Sequence, residues 1–183
     1  MYESIRNKID DLLTGPFLEA FQGVDCQTPD YDSRSLPAAQ AFRASVHIGH
    51  VAGTPDARYL ILALGSRLEL YLQLNVYRLV VVYRVPAQGT LDSAALQPRF
   101  ARWAIGATDA GWTIGWRDAI DSGNDAVRFI EVYCYASLPM DFLDNERHQL
   151  YWITDVVQMT RAFLMEARRA GVNLPPCGGA SEH

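Results

Sequence analysis

The sequence predicts an α+β fold in which helices pack on an antiparallel sheet of about five strands, with the element order α-βββ-α-ββ-α. The first reason is that aliphatic residues alternate with polar or amphipathic ones from Arg67 to Val76, which is typical of a strand with one buried face. The second reason is the β-branched run from Leu79 to Val85, which ends at Pro86 because proline lacks a backbone N–H. The third reason is a long amphipathic pattern over residues 145–170, which predicts a terminal helix that covers the sheet.

Shorter patterns predict the other elements in order. Apolar residues at helical spacing, followed by a turn that Pro16 opens, predict a first helix over 2–21. The dipeptide Gly65-Ser66 is short enough to turn one strand directly into the next, which predicts an antiparallel meander. The stretch from Arg67 to Pro86 fits one bent strand or two shorter ones. The remaining predicted elements are strands near 42–51, 58–64 and 67–85, a helix over 91–107, strands over 112–118 and 127–137, and the helix over 145–170.

The length of 183 residues fits a single domain, which we place at residues 1–170. A hydrophobic content of 49% and a charged content of 20% are typical of a globular protein rather than of a disordered one. Prolines and acidic residues over 23–37 predict a surface loop. Pro175-Pro176 and Gly178-Gly179 predict a flexible C-terminal tail over 171–183.

The charge and the cysteines argue against nucleic-acid binding, a membrane span and an oxidising compartment. A net charge of −5 disfavours general binding to nucleic-acid phosphates. Basic residues are dense only at Arg161, Arg168 and Arg169, where the C-terminal end of a helix dipole accommodates them. Charged residues interrupt every long apolar run, and the three cysteines have neither CxxC spacing nor an even number. The sequence therefore predicts a cytoplasmic protein with no nucleic-acid and no membrane partner.

No residue pattern predicts a catalytic centre, a metal site or a bound cofactor. His47 and His50 are three positions apart on a predicted strand, so we expect their side chains on opposite faces of the sheet. The thiol of Cys134 is predicted to point into the core, and neither GxGxxG nor a P-loop pattern is present. These observations favour a binding protein over an enzyme.

The last helix carries more apolar surface than a helix that lies on one sheet needs. Its two apolar rows predict either a tighter core or a subunit interface, and an interface predicts a homodimer. The tryptophans are likewise typical of either a core or an interface. On this basis the residues that we assign to partner binding are Trp152, Val156, Met159 and Phe163 on the last helix, with Phe17 and Phe21 on the first.

The order of elements resembles the type III secretion chaperone-like fold, and in particular the YbjN-like proteins grouped with it. The likeness is strongest from Arg78 through Pro86 and a short helix to the segment Trp112–Trp116, and it continues through Phe129 to Leu138-Pro139. An acidic linker and the terminal amphipathic helix complete it, so that it covers roughly residues 40–170. The resemblance implies a small acidic protein, often a homodimer, that binds other polypeptides and has no catalytic residues. The expected function is therefore a non-catalytic, chaperone- or adaptor-like module that holds a partner polypeptide.

Two alternatives stay open. The first is a cone or helix-grip fold whose curved sheet wraps a long helix around an apolar pocket for a small molecule or a reaction. The residues that would line that pocket are Tyr71, Tyr83, Trp116, Glu131 and Tyr133. Its polar group would be His47, Asp118 or Glu131, of which Glu131 is the one with apolar neighbours in its strand. The second alternative is an immunity-type inhibitor that neutralises a partner protein with its acidic face.

Overall fold

The computed structural model describes residues 2–21, 47–50, 57–64, 68–87, 89–121 and 124–172. Within these ranges, six strands form one antiparallel sheet with the spatial order β1-β2-β3-β4-β6-β5. The strands are β1 (His47–His50), β2 (Arg58–Leu64), β3 (Leu68–Leu74), β4 (Arg78–Pro86), β5 (Thr113–Asp121) and β6 (Asn124–Ser137). The α+β class, with helices packed on an antiparallel sheet, is confirmed.

The helices appear in the order that the sequence predicts. α1 (Tyr2–Leu12) continues through a π-helical turn (Leu13–Phe17) into α2 (Leu18–Phe21). α3 (Ser93–Leu96) continues through a 3-10 turn (Gln97–Phe100) into α4 (Ala101–Asp109). A 3-10 turn (Phe142–Asp144) precedes the long terminal helix α5 (Glu146–Arg169).

The long predicted strand over 67–85 is two strands, β3 and β4, and this accounts for the sixth strand. The side-chain oxygen of Asn75 accepts hydrogen bonds from the backbone N–H groups of Tyr77 (2.9 Å) and Arg78 (2.7 Å). Such a side-chain bond to the backbone two and three residues further on stabilises a tight turn. Val76, which continues the aliphatic alternation in the sequence, therefore lies in the turn and not in a strand.

One face of the central strands forms the core beneath the helices. Alternate positions of β3, β4 and β6 are buried, and the register brings them together: Leu72 lies opposite Val81, and Val81 lies opposite Cys134. The buried residues of this face are Leu70, Leu72, Leu74, Leu79, Val81, Tyr83, Val85, Ile130, Val132, Cys134 and Ala136. Period-two alternation of apolar residues thus produces the buried face that the sequence predicts for this region.

Three predicted segments lie outside the described residues. They are the loop over 23–37, the turn at Gly65-Ser66 and the part of the tail that follows Val172. Of the strand predicted near 42–51, the structure describes β1, and the side chains of His47 and His50 lie outside the description.

Candidate functional site

The residues that the sequence assigns to partner binding are mostly part of the chain's own core. Val156, Phe163, Phe17 and Phe21 have no exposed surface, and Met159 is 6% exposed. Trp152 is half-buried, and its ring meets that of Trp112 edge-on at 5.6 Å between centroids.

These six residues are covered because α5 lies on the sheet and also contacts α2 and α4. Most of both apolar rows of α5 therefore serves the core of the chain itself, whereas Leu150 is 66% exposed. A surface that is open to a partner therefore has to lie elsewhere on the chain.

The five residues of the predicted pocket do not meet in one cavity. Tyr83 is buried on the helix side of the sheet, and Trp116 lies on the same side, 6.3 Å from Trp103 between ring centroids. Glu131 and Tyr133 lie on the opposite face, because they alternate along β6 with the buried Ile130, Val132 and Cys134. The side chain of Tyr71 lies outside the described part of the chain.

Glu131 takes part in a cluster of charges and aromatic rings on the face of the sheet that is turned away from the helices. Its carboxylate accepts hydrogen bonds from Arg117 Nε (2.8 Å) and Arg117 Nη2, and it lies 3.7 Å from Arg84 Nε. The Arg84 guanidinium also lies over the ring of Phe129, 3.9 Å from its centroid. Two arginines hold this carboxylate, so its geometry is that of an ion pair and not of an acid in an apolar pocket.

A groove open to solvent lies between α4 and α5, and we call it the α4–α5 groove. Its volume is about 430 Å³, which is in the range of known ligand sites. Trp103, Ala107, Trp112 and Met159 form a nearly buried apolar floor. Met165 stands at its edge with 64% of its surface exposed.

The groove exists because the helix surfaces that face it carry very small side chains. α4 contributes Gly106 and Ala107, the turn after it contributes Ala110, and α5 contributes Ala162. A Cβ atom added at Gly106 would meet no atom within 4 Å, which shows that the space beside this backbone is empty. Small residues at Gly106 and Ala110, four positions apart, are the sequence signal that would have indicated this groove.

Two tryptophans of the floor are fixed by hydrogen bonds within the chain. Trp103 Nε1 donates to the backbone oxygen of Met159 (3.0 Å), and Trp112 Nε1 donates to Asp155 Oδ2 (2.7 Å). Both indole N–H groups have acceptors, so the floor can be covered by apolar groups without loss of a hydrogen bond.

Charged residues stand at the two ends of the groove. Arg102 and Arg169 line one end, where Glu166 lies 3.8 Å from Arg169. Asp155 lines the other end and is half-buried beside Trp112. An apolar floor between ends of opposite charge suits an elongated amphipathic ligand.

A second groove of about 440 Å³ lies on the other side of α5, against α2. Pro16 and Ala20 line one wall, and Leu150 and Val157 line the other. Gln158 belongs to both grooves, so the exposed side of α5 forms a ridge between them.

Local structure shifts the pKa values of two groups that lie outside both grooves, Cys134 and Asp141. Burial raises the pKa of the Cys134 thiol well above its ordinary value, which keeps the group protonated and unreactive. Hydrogen bonds from Asn145 and His148 lower the pKa of Asp141, at the start of α5.

Among the described residues, no group of three or more His, Cys, Asp and Glu side chains is placed to hold a metal ion. None of the described helices combines the length and apolarity that a membrane span requires.

Comparisons of the chain with protein-family models, with curated proteins and with solved structures found no match. The resemblance to the YbjN-like proteins therefore stays a prediction, and the function has to be argued from the geometry of the chain.

Proposed function

We propose that this chain is a non-catalytic protein-binding module, chaperone- or adaptor-like, that holds a segment of a partner polypeptide in the α4–α5 groove. The observation that carries the proposal is a solvent-open groove with an apolar floor, whose indole N–H groups are already bonded within the chain. A ligand in the groove would cover the exposed apolar surface at its edge, such as that of Met165, and each Å² removed from water contributes roughly 25 cal/mol.

The length of the groove suits a segment of polypeptide. Asp155 and Arg169 stand at its two ends, and they are 14 residue steps apart on α5. At a rise of about 1.5 Å per residue, this distance is about 21 Å along the helix. A segment of secondary structure spans that length, and helix-in-groove binding is a common mode of peptide recognition.

The side chains around the groove suit a partner of variable sequence. Met165, at the exposed edge, has a flexible, polarisable thioether that adapts to different apolar side chains, whereas Met159 belongs to the nearly buried floor. Trp103 and Trp112 are nearly buried and held by hydrogen bonds, so they form a rigid floor beneath the groove. A rigid floor with adaptable edges is suited to a chaperone- or adaptor-like role.

The alternative of an apolar pocket for a small molecule or a reaction has less support, because its described lining residues do not share one face of the sheet. Tyr83 and Trp116 lie beneath the helices, whereas Glu131 and Tyr133 lie on the other side. No step of a reaction can use both sets at one site.

Two further expectations stay proposals. A homodimer that uses α5 would form through its exposed residues, such as Leu150 and Tyr151, since Val156 and Phe163 are buried. A cytoplasmic location suits the free thiol of Cys134, because reducing compartments keep thiols unpaired.

The test is photocrosslinking in the native host, with a crosslinking amino acid in place of Met165. We expect this probe to capture a defined polypeptide segment, and the same probe in place of Thr108 to capture far less of it. Thr108 is exposed on α4 and does not line the groove.

Ala162→Glu, which places a charge in the groove, should abolish the capture. Ala101→Glu is the matched control, because Ala101 is an exposed helical alanine outside the groove. Circular dichroism checks that both variants fold. Capture that is equal at the two probe positions, or that survives Ala162→Glu, overturns the proposal.

A further inference from the structure

We infer that the partner segment is an amphipathic α-helix with acidic residues in its first turn and basic residues in its last, and that it lies antiparallel to α5. This inference rests on the proposed function and adds the chemistry and direction of the partner. The juxtaposition that carries it is an apolar groove with arginines at one end and an aspartate at the other.

Three hydrogen bonds fix the direction of α4 relative to α5. Arg99 Nη1 donates to the backbone oxygen of Ala170 (3.3 Å), and Trp103 Nε1 donates to that of Met159 (3.0 Å). Trp112, which follows α4, donates to Asp155 (2.7 Å). As the residue numbers rise along α4, those of the facing residues on α5 fall, so the two helices run antiparallel.

Basic residues gather where α4 begins and α5 ends. Arg102 and Arg169 are exposed there, and Arg99 bonds the last turn of α5. Glu166 offsets part of this charge through its contact with Arg169 at 3.8 Å. This end of the groove is therefore positive on a chain whose net charge is −5.

The opposite end of the groove is acidic. Asp155 lines it, with one carboxylate oxygen bonded to Trp112. The exposed Asp109 ends α4 on the same side. A ligand that covers the apolar floor would thus meet opposite charges at its two ends.

These charges select one orientation of a helical ligand. Helices are stabilised by acidic residues in the first turn and by basic residues in the last, which complement the helix dipole. A helix of this kind places its acidic N-terminus at Arg102 and Arg169 and its basic C-terminus at Asp155. Its dipole then opposes that of α5, and about fourteen residues fill the groove.

The experiment uses two peptides of about sixteen residues with the same composition and the same apolar stripe at positions i, i+4, i+7 and i+11. One peptide has glutamates in its first turn and lysines in its last, and the other has them exchanged. A hydrocarbon staple on the solvent side makes both fully helical, so that the comparison reports the charges and not the helix content. Binding is measured by fluorescence anisotropy at low and high salt.

We expect the first peptide to bind about tenfold more tightly than the second at low salt, and this ratio to shrink at high salt. Arg102→Glu should remove the preference. Arg147→Glu changes the net charge equally at an exposed site outside the groove, and it should preserve the preference. Equal binding, or tighter binding of the exchanged peptide, overturns the inference and leaves the proposed function standing. If neither peptide binds while the probe at Met165 still captures a polypeptide, the helical partner alone is overturned. If the probe at Met165 captures nothing either, the proposed function is overturned too.

A nitroxide at the N-terminus of the bound peptide tests the direction separately. We expect it to broaden the backbone amide resonances of Arg169 and Gly171 and to leave that of Asp155 sharp. Broadening at Asp155 instead overturns the antiparallel orientation.

Discussion

The ring of Tyr83 stacks on the ring of Phe163, with centroids 4.2 Å apart and planes 9° from parallel. This contact joins β4 to the C-terminal half of α5, and Trp103 meets both rings edge-on at 5.9 and 5.1 Å. The floor of the α4–α5 groove is therefore built on the core of the chain, so that the stability of the core and the shape of the groove are linked.

Phe163→Ala should destabilise the chain by about 3–5 kcal/mol, because Phe163 is fully buried and its removal leaves a cavity under α5. Urea denaturation followed by tryptophan fluorescence measures the change. Phe129→Ala is the comparison, since Phe129 is only half-buried on the far face of the sheet. Equal losses from the two variants would contradict a core centred beneath α5.

The hydroxyl groups of Tyr83 and Thr160 form a buried pair at 2.7 Å. Thr160 Oγ1 donates to the backbone oxygen of Val156 at 2.8 Å, so the Tyr83 hydroxyl donates to Thr160. Tyr83→Phe should therefore cost about 1–2 kcal/mol in a background that retains Thr160. In a Thr160→Val background the tyrosine loses its acceptor, and Tyr83→Phe should become neutral or stabilising. Additive effects in this double-mutant cycle would show that the bond contributes nothing.

The stability should fall with rising pH once the unfolded chain releases the Cys134 proton. Burial raises the pKa of this thiol in the folded chain, whereas an unfolded thiol titrates near pH 8.5. Above that pH, the free energy of unfolding should therefore fall by roughly 1.4 kcal/mol per pH unit. The raised folded pKa means that the full stability is present below this pH and is lost above it. Urea denaturation between pH 7 and 10 is measured in a chain with Cys26→Ser and Cys177→Ser. Adding Cys134→Ala should reduce the slope of the unfolding free energy against pH by the contribution of one proton. An unchanged slope would mean that the thiol is accessible in the folded chain.

Gly115 gives Tyr133 the space to lie across β5. A Cβ atom at Gly115 would lie 2.0 Å from Tyr133 Cζ, so Gly115→Ala must move the ring. We expect a loss of about 1 kcal/mol, because the ring is half-buried at the surface and can rotate away. In a Tyr133→Ala background the same change should be neutral or stabilising by up to about 1 kcal/mol, since glycine is unfavourable in a strand. Thermal unfolding of the four proteins tests this reversal of sign.

The sequence predicts the parts of the fold that depend on the spacing of apolar residues and on residues that end helices and strands. Alternation in β3 and β4 predicts a buried face, and Gly171 marks the end of α5. The break at Asn75 is less visible, because Val76 continues the alternation while the Asn75 side chain turns the backbone. Local pattern therefore predicts the elements better than their exact limits.

The candidate site was harder to predict, because it consists of space between helices. Hydrophobic periodicity indicates that Val156 and Phe163 must be buried, but it does not show whether the chain or a partner buries them. The α4–α5 groove depends on how α4 and α5 cross and on the absence of side-chain atoms at Gly106 and Ala162. Neither feature follows from the apolar pattern of a single helix.

Substitutions at Gly106 distinguish effects on the stability of the chain from effects on the proposed binding function. Gly106→Ala should stabilise the chain by up to about 1 kcal/mol, because glycine is a poor helix former and the added Cβ atom meets no neighbour. Gly106→Leu should also fold, and its longer side chain should occupy the groove and weaken binding of the stapled peptide with the acidic first turn at least about tenfold. Ala101→Leu adds a leucine of the same size to α4 outside the groove and should leave binding unchanged. Thermal unfolding and fluorescence anisotropy measure the two properties on the same samples. A Gly106→Leu protein that folds and binds the peptide as tightly as the parent would remove the groove as the binding site, since a ligand could not share that space with the new side chain.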